Sequence, residues 1–257
     1  MAIYDRIGDG YARTRRPDPR IARQLRSALG SASTLVNVGA GSGSYEPDDL
    51  SVIAVEPSEL MISQRPAHAA PVVRAVAESL PFAKDSFDAG MAVLTVHHWH
   101  DQTEGLRELR RVVRGRIAVL TWDQKVFARF WMVADYLPVS GTLDPGLPSP
   151  EQIADLLGGA DIAPVLVPSD CADGFYAAWW RRPEAYLDPA VRSGISGLAR
   201  LHRQDVEPAL ERLEADLRTG AWHQRYRDLL GLDEYDAGYR LVVANEILDR
   251  RAGEETS

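Results

Sequence analysis

The chain has 257 residues, 45% apolar and 26% charged, which places it among globular proteins long enough for one sizeable core. Its formal charge of -8 argues against a nucleic-acid backbone as partner, because phosphates need a basic face. A single cysteine, Cys171, excludes an intramolecular disulfide framework, and no apolar run reaches the length of a membrane span or reads as a secretory signal, so the expectation is a cytoplasmic protein with no membrane partner.

Residues 1–17 are polar and carry Tyr4, Tyr11, Arg13, Arg15 and Arg16 ahead of Pro17. They read either as a solvated arm or as a segment folded over a ligand. Residues 18–30 have a helical period, with Ile21, Leu25 and Leu29 on one face and Gly30 as the stop. Leu35-Val-Asn-Val-Gly-Ala-Gly-Ser-Gly-Ser44 then reads as a short buried strand running into a turn whose alternate glycines let the backbone pass close to a ligand. Only about eight residues, Pro47 among them, separate Gly43 from a second strand, Val52-Ile-Ala-Val-Glu56, so the spacing predicts a turn instead of a full crossover helix. A glycine turn after one strand and an acid at the end of the next is how doubly wound sheets hold a nucleoside, with the carboxylate taking ribose hydroxyls. The dinucleotide fingerprint G-x-G-x-x-G is not met, since Ser44 or Glu46 stands where the third glycine belongs.

Pro57 opens a short helix with Leu60, Met61 and Ile62, in which Met61 either meets an adenine face or fills the core. Residues 71–76 are β-branched and predict a third strand, with Ala77-Glu-Ser-Leu-Pro-Phe82 at its carboxyl end. Ser86–Val96 predicts a fourth strand that enters Val96-His-His-Trp-His-Asp101. If that segment is extended, His97 and His98 point to opposite sides, and no Cys or acid stands at metal-ligand spacing, so no metal is expected. Thr103–Val113 predicts a helix and Arg116–Trp122 a fifth strand, which puts Trp122 at the same carboxyl edge as the histidines. Phe127, Phe130, Trp131 and Tyr136 either wall an apolar ligand or dock on the sheet. Residues 138–150 read as a loop, Ser149-Pro-Glu-Gln as a helix start, and Ile162–Val167 as a sixth strand. The stretch 175–230 is largely helical in pattern, with a helix from about Gln204 to Thr219. Its Trp179-Trp180-Arg181-Arg182 run suits either a carboxylate or ring grip, or helix packing. Tyr239–Ile247 predicts the last strand.

The glycine turn G-A-G-S-G, then Ala-Val-Glu56-Pro-Ser, Ala77–Phe82 and Ser86–Trp99 in that order and spacing, resembles the class I S-adenosylmethionine-dependent methyltransferases, in their type 11-like small-molecule subgroup. The resemblance covers residues 30 to 125, and departs from the family at Asn37, where many relatives carry an acid, and in the short first crossover. It implies an α/β fold, a Rossmann-like seven-stranded, mostly parallel sheet with an antiparallel last strand, plus a helical cap. The implied divisions are an arm or lid over 1–17, a cofactor core over 18–122, a cap segment over 123–150, a core helix and strand over 151–174, a cap insertion over 175–230, and the last strand and tail over 231–257. The resemblance further implies S-adenosyl-L-methionine as cofactor, held by Gly39, Ala40, Gly41, Gly43, Glu56, Pro57, Met61, Ala77, Glu78 and Leu94, with Tyr11 and Arg16 able to reach the methionine carboxylate. It implies methyl transfer to a small organic acceptor lined by His98, Trp122, Phe127, Trp131 and Trp180, with His98 as base or as pocket wall and His97 packed within the fold. The alternatives are a nicotinamide-dependent oxidoreductase and a non-catalytic protein of the same shape that binds the ligand without turnover.

Overall fold

In the computed structural model residues 15–142 and 144–245 are described. Expectations placed on Tyr11, on the arm as far as residue 14 and on 246–257 lie outside the described residues. The first half of the chain forms helix α1 (Pro19–Ala28), strands β1 (Thr34–Val38) and β2 (Ser51–Val55), helix α2 (Glu59–Ser63), strands β3 (Val72–Val73) and β4 (Phe87–Val93), helix α3 (Gln102–Val112) and strand β5 (Val113–Trp122). Then come α4 (Gln124–Phe127), α5 (Pro150–Leu156), β6 (Asp161–Pro164), β7 (Val167–Pro168), α6 (Pro189–Ser193), α7 (Ser196–Ala199), α8 (Arg203–Thr219), α9 (Ala221–Arg225), α10 (Arg227–Leu230), β8 (Glu234–Tyr235) and β9 (Tyr239–Ala244).

Seven strands make one sheet in the order β3-β2-β1-β4-β5-β9-β6, parallel from β3 to β5, with β9 antiparallel between β5 and β6. A central parallel strand is covered on both faces, which is why β1 carries a near-continuous apolar run. Leu35 faces a cluster with Ile21 and Leu25 of α1 and with the segments after β5, and Val36 faces Leu106 and Leu109 of α3 and Ile153 of α5. Local chemistry sets the helix starts. Asp18 caps α1 by accepting from Arg20 N at 2.9 Å, and Ser149 and Gln152 form a reciprocal capping box on α5.

Four strand expectations change in extent. Strand β3 pairs over two residues only. Strand β4 ends at Val93, because Leu94 takes φ +50 and the chain turns into a 3-10 segment over Val96–His98. Strand β6 ends at Pro164, which has no N–H for the ladder, and Val167 joins β8 in a separate two-stranded ribbon. Among the described residues β9 ends at Ala244. Between β1 and β2 the chain makes turns and no helix, as the spacing requires.

Trp131 and Trp180 were expected to line a ligand pocket, and both are core instead. They are 3% and 0% exposed. Each indole buries its rings and finds a backbone carbonyl for its N–H: Trp131 Nε1 donates to Trp180 O at 2.9 Å and Trp180 Nε1 to Val167 O at 3.0 Å. Trp222 meets Trp131 edge-on at 5.2 Å between ring centroids. The neighbouring arginines close loops. Arg181 donates to Leu232 O, and Arg182 donates to Cys171 O and Ala178 O while lying over the Trp179 ring at 4.4 Å. No described helix is long and apolar enough to cross a membrane. Trp180→Ala is expected to lower stability by about 3–5 kcal/mol in urea unfolding; a cost under about 1 kcal/mol would remove Trp180 from the core.

Candidate active site

The carboxyl ends of β1 to β4 open onto a cleft of about 740 Å³, within the roughly 300–1,000 Å³ of small-molecule sites. Its floor is the glycine turn. Gly39 has φ +71, and a Cβ there would lie 2.0 Å from Thr95 Oγ1, so only glycine lets the turn pass under the end of β4. Gly39 N and Ala40 N both donate to Val55 O, at 2.9 and 3.0 Å, and Gly41 N donates to Glu56 Oε2 at 2.8 Å. The first three amides of the turn are therefore spent on the end of β2. A dinucleotide pyrophosphate sits on amides at a helix N-terminus, and no helix follows this turn before β2.

Glu56 is 5% exposed and takes Ser58 N on its other oxygen at 2.9 Å. Asn37 donates from Nδ2 to Glu46 Oε1 at 3.1 Å, and Glu46 is paired with Arg65, which also donates to Gly41 O. Glu46 thus supplies the carboxylate beneath the turn, and an acid at position 37 would stand against it. Ala77, Pro57, Met61 and Leu94 line the cleft. Glu78 does too, with Oε1 accepting from His100 N at 2.6 Å and Asp101 N at 3.0 Å, which fixes the loop after β4. Trp99 wedges that loop against α3, since a Cβ on Gly105 would lie 2.5 Å from its ring.

A second, smaller cavity of about 70 Å³ lies at the ends of β4, β5 and β9. Trp122, Phe127, Phe175, Tyr176 and Tyr239 give it aromatic walls. Arg15 and Leu94 line both cavities. Arg15 is fixed by Asp173, Nε to Oδ1 at 2.7 Å and Nη2 to Oδ2 at 3.2 Å. The 3-10 turn divides the two histidines: His98 lines the larger cleft and His97 the smaller cavity, with their rings 3.6 Å apart and His97 edge-on to Trp122 at 4.6 Å. Burial, then the cations Arg200 and Arg15, lowers His97 to about 3. Burial, then His97 and Arg200, lowers His98 well below the ordinary imidazole value. Both rings are neutral at pH 7.

The structure brings together Gly39, Ala40, Gly41, Glu56, Pro57, Met61, Ala77, Glu78, Leu94 and His98 around the cleft, and Trp122 and Phe127 around the second cavity. It leaves Gly43 outside both, beside the Arg65–Glu46 pair. Arg16 is exposed, and Arg15 takes the inward place because it reaches the buried Asp173. His97, expected to pack within the fold, faces the second cavity. Arg200 and Asp144, a two-bonded ion pair on that cavity's wall, carry no sequence signal at a separation of 56 residues. Among the described residues no group of three or more His, Cys, Asp or Glu is placed to hold a metal.

The cleft fits a nucleoside sulfonium: a buried carboxylate for a diol, apolar walls at Met61, Ala77 and Leu94, and a floor where Gly39 tolerates no Cβ. Residues 36–118 match a family model described as a methyltransferase domain. A solved structure from Anabaena variabilis, a protein assigned to an antibiotic biosynthesis pathway as a methyltransferase, superposes with a TM-score of 0.85 at 34% identity, covering 90% of this chain and 99% of that one. The 2-methyl-6-phytyl-1,4-hydroquinone methyltransferase 2 of Oryza sativa is 26% identical over 117 residues, 38% of this chain and 34% of that protein. The tRNA (carboxymethyluridine(34)-5-O)-methyltransferase of Xenopus tropicalis is 29% identical over 128 residues, 47% of this chain and 20% of that protein. The chain thus spans about a third and a fifth of the lengths of these two curated relatives.

The neutral histidines make stability depend on pH. Their folded values lie below the unfolded value of about 6.5, so the unfolded chain takes up more protons and stability falls as pH drops below it, by up to about 1.4 kcal/mol per pH unit for each ring. His97→Gln is expected to flatten the fall between about pH 6.5 and 5, above the carboxylate range, in urea titrations; equal slopes would place His97 in contact with solvent.

Proposed function

This chain belongs to the class I S-adenosylmethionine-dependent methyltransferases and uses S-adenosylmethionine as its cofactor, and we propose that it transfers the methyl group to a small organic acceptor held in the second cavity. The observation that carries the reading is the small, aromatic-walled cavity that shares Arg15 and Leu94 with the larger cleft. At about 70 Å³ it suits the reacting end of a compact molecule and not a folded chain, and the formal charge of -8 supports the same choice over an RNA backbone. The Oryza relative is named for a hydroquinone acceptor and the Xenopus relative for tRNA. The buried, lone Cys171 supports a reducing, cytoplasmic setting.

In this reading Glu56 takes the ribose hydroxyls while its bonds from Gly41 N and Ser58 N hold it still. Met61, Ala77 and Leu94 cover the adenine, and Glu78 keeps Oε2 for the exocyclic amine. The cofactor, when bound, supplies a sulfonium methyl open to in-line displacement. The chain's part is positioning and exclusion of water, which convert a bimolecular step into a preorganised one. His97 is the acceptor-side histidine, and as a neutral ring it presents one N–H donor and one acceptor nitrogen. His98 shapes the wall between the two sites.

Calorimetry with S-adenosylhomocysteine is expected to give binding that weakens about tenfold or more in Glu56→Ala, with no NAD signal in either protein. Supplied with S-adenosylmethionine carrying a labelled methyl group, the protein is expected to label a component of a small-molecule extract. Label found only in RNA or protein fractions would overturn the small acceptor.

A further inference from the structure

Arg200 follows α7 on the wall of the second cavity, and methyl transfer as described above does not use it. Its guanidinium spends two of its nitrogens on Asp144, Nη1 to Oδ1 at 2.9 Å and Nη2 to Oδ2 at 2.8 Å, and both side chains are largely buried. The third nitrogen, Nε, is buried and has no hydrogen-bond partner among the described residues. An unpaired buried donor costs about 1–3 kcal/mol, and an arginine cannot shed the proton. Native structures keep such a group where something else supplies the acceptor.

The surroundings define that acceptor. Trp122, Phe127, Phe175 and Tyr176 offer ring faces and edges, and His97, Gln124, Ser140 and Ser196 are the neutral polar groups beside them. The charged groups around the cavity are Arg200, Arg15, Asp144 and, through Arg15, Asp173. At His97 burial is the larger cause of the shift and opposes any charge, while the smaller contributions of Arg200 and Arg15 oppose a cation alone and favour an anion at the same place. The cavity's volume of about 70 Å³ admits the substituted edge of one ring and not a fused system.

Resting on the reading of this cavity as the acceptor site, we propose that the acceptor is a single-ring aromatic compound with an acidic hydroxyl, bound as its oxyanion by Arg200 Nε–H between the aromatic walls. The hydroxyl proton leaves to solvent on binding. The anion then sits against a guanidinium held rigid by Asp144, so charge and orientation are fixed together. His97 presents its neutral ring to the same oxygen-bearing edge, and this explains why the site holds a histidine without charging it.

The test is calorimetric binding of 4-nitrophenol and of nitrobenzene to protein saturated with S-adenosylhomocysteine, above and below the phenol's own pKa. Wild-type protein is expected to bind the phenolate about tenfold more tightly than nitrobenzene, and to lose that margin below the phenol pKa. Arg200→Gln strands the Asp144 carboxylate, so the double variant Arg200→Gln/Asp144→Asn removes both charges at once. In it the phenolate preference is expected to fall to about twofold or less while affinity for S-adenosylhomocysteine is unchanged. Equal binding of the two probes by the wild type, or a preference that survives in the double variant, would overturn the oxyanion site and leave the methyltransferase reading standing. Absence of S-adenosylhomocysteine binding to the wild type would bring down both.

Discussion

A buried carboxylate, Asp173, joins three parts of the chain that lie far apart in sequence. It is 1% exposed and accepts from Arg15 in the lead-in to α1, from Tyr45 Oη at 2.8 Å at the end of the glycine turn, and from its neighbour's amide, Gly174 N, at 2.7 Å in the segment after β7. Tyr45 takes φ +65 to make this contact, and burial followed by the Asp173 charge pushes its hydroxyl pKa up, so it remains a donor. An isolated carboxylate this deep would be very unfavourable; paired and fully hydrogen-bonded it is tolerated, and removing one partner costs about 3–5 kcal/mol. Because Arg15 lines both cavities, the same contact helps set the boundary between them.

The glycine turn has a different logic from that of dinucleotide folds. Its first three amides, from Gly39 to Gly41, bond Val55 O and Glu56, and no helix follows to aim a dipole at an anion. What the turn provides is proximity, with Gly39 pressed under Thr95. That suits a cofactor with no phosphate, whose affinity must come from a diol, an adenine face and a cation. The departure at Asn37 fits the same economy, because the Glu46–Arg65 pair already occupies the space below the turn.

The parts of the site written in contiguous residues were legible in the sequence. The apolar β1 run, the alternate glycines, Glu56 at the end of β2 and Trp122 at the end of β5 each follow from local pattern plus the rule that ligands sit at the carboxyl ends of strands. What failed depended on distant partners. Arg16 was chosen over Arg15, yet the choice between adjacent residues is made by Asp173, 158 positions away. The resemblance put His98 toward the acceptor, and the turn after Leu94, with its positive φ, sets His98 on the larger cleft and His97 on the second cavity. Trp131 and Trp180 read alike for a core and for a ligand wall, and only the carbonyls waiting for their N–H groups decide it.

The two ends of the sheet carry a consequence of their own. One border strand, β3, pairs over two residues, and the other, β6, has all four residues exposed, with Asp161 at its start and Pro164 at its close. A stray strand seeking unpaired backbone would find almost no ladder on the first side, and on the second a charge followed by a residue with no N–H to give. The large parallel sheet that builds the catalytic face is thereby closed to extension from neighbouring molecules, and the exposed Ile162 can sit on that border without inviting fibre growth.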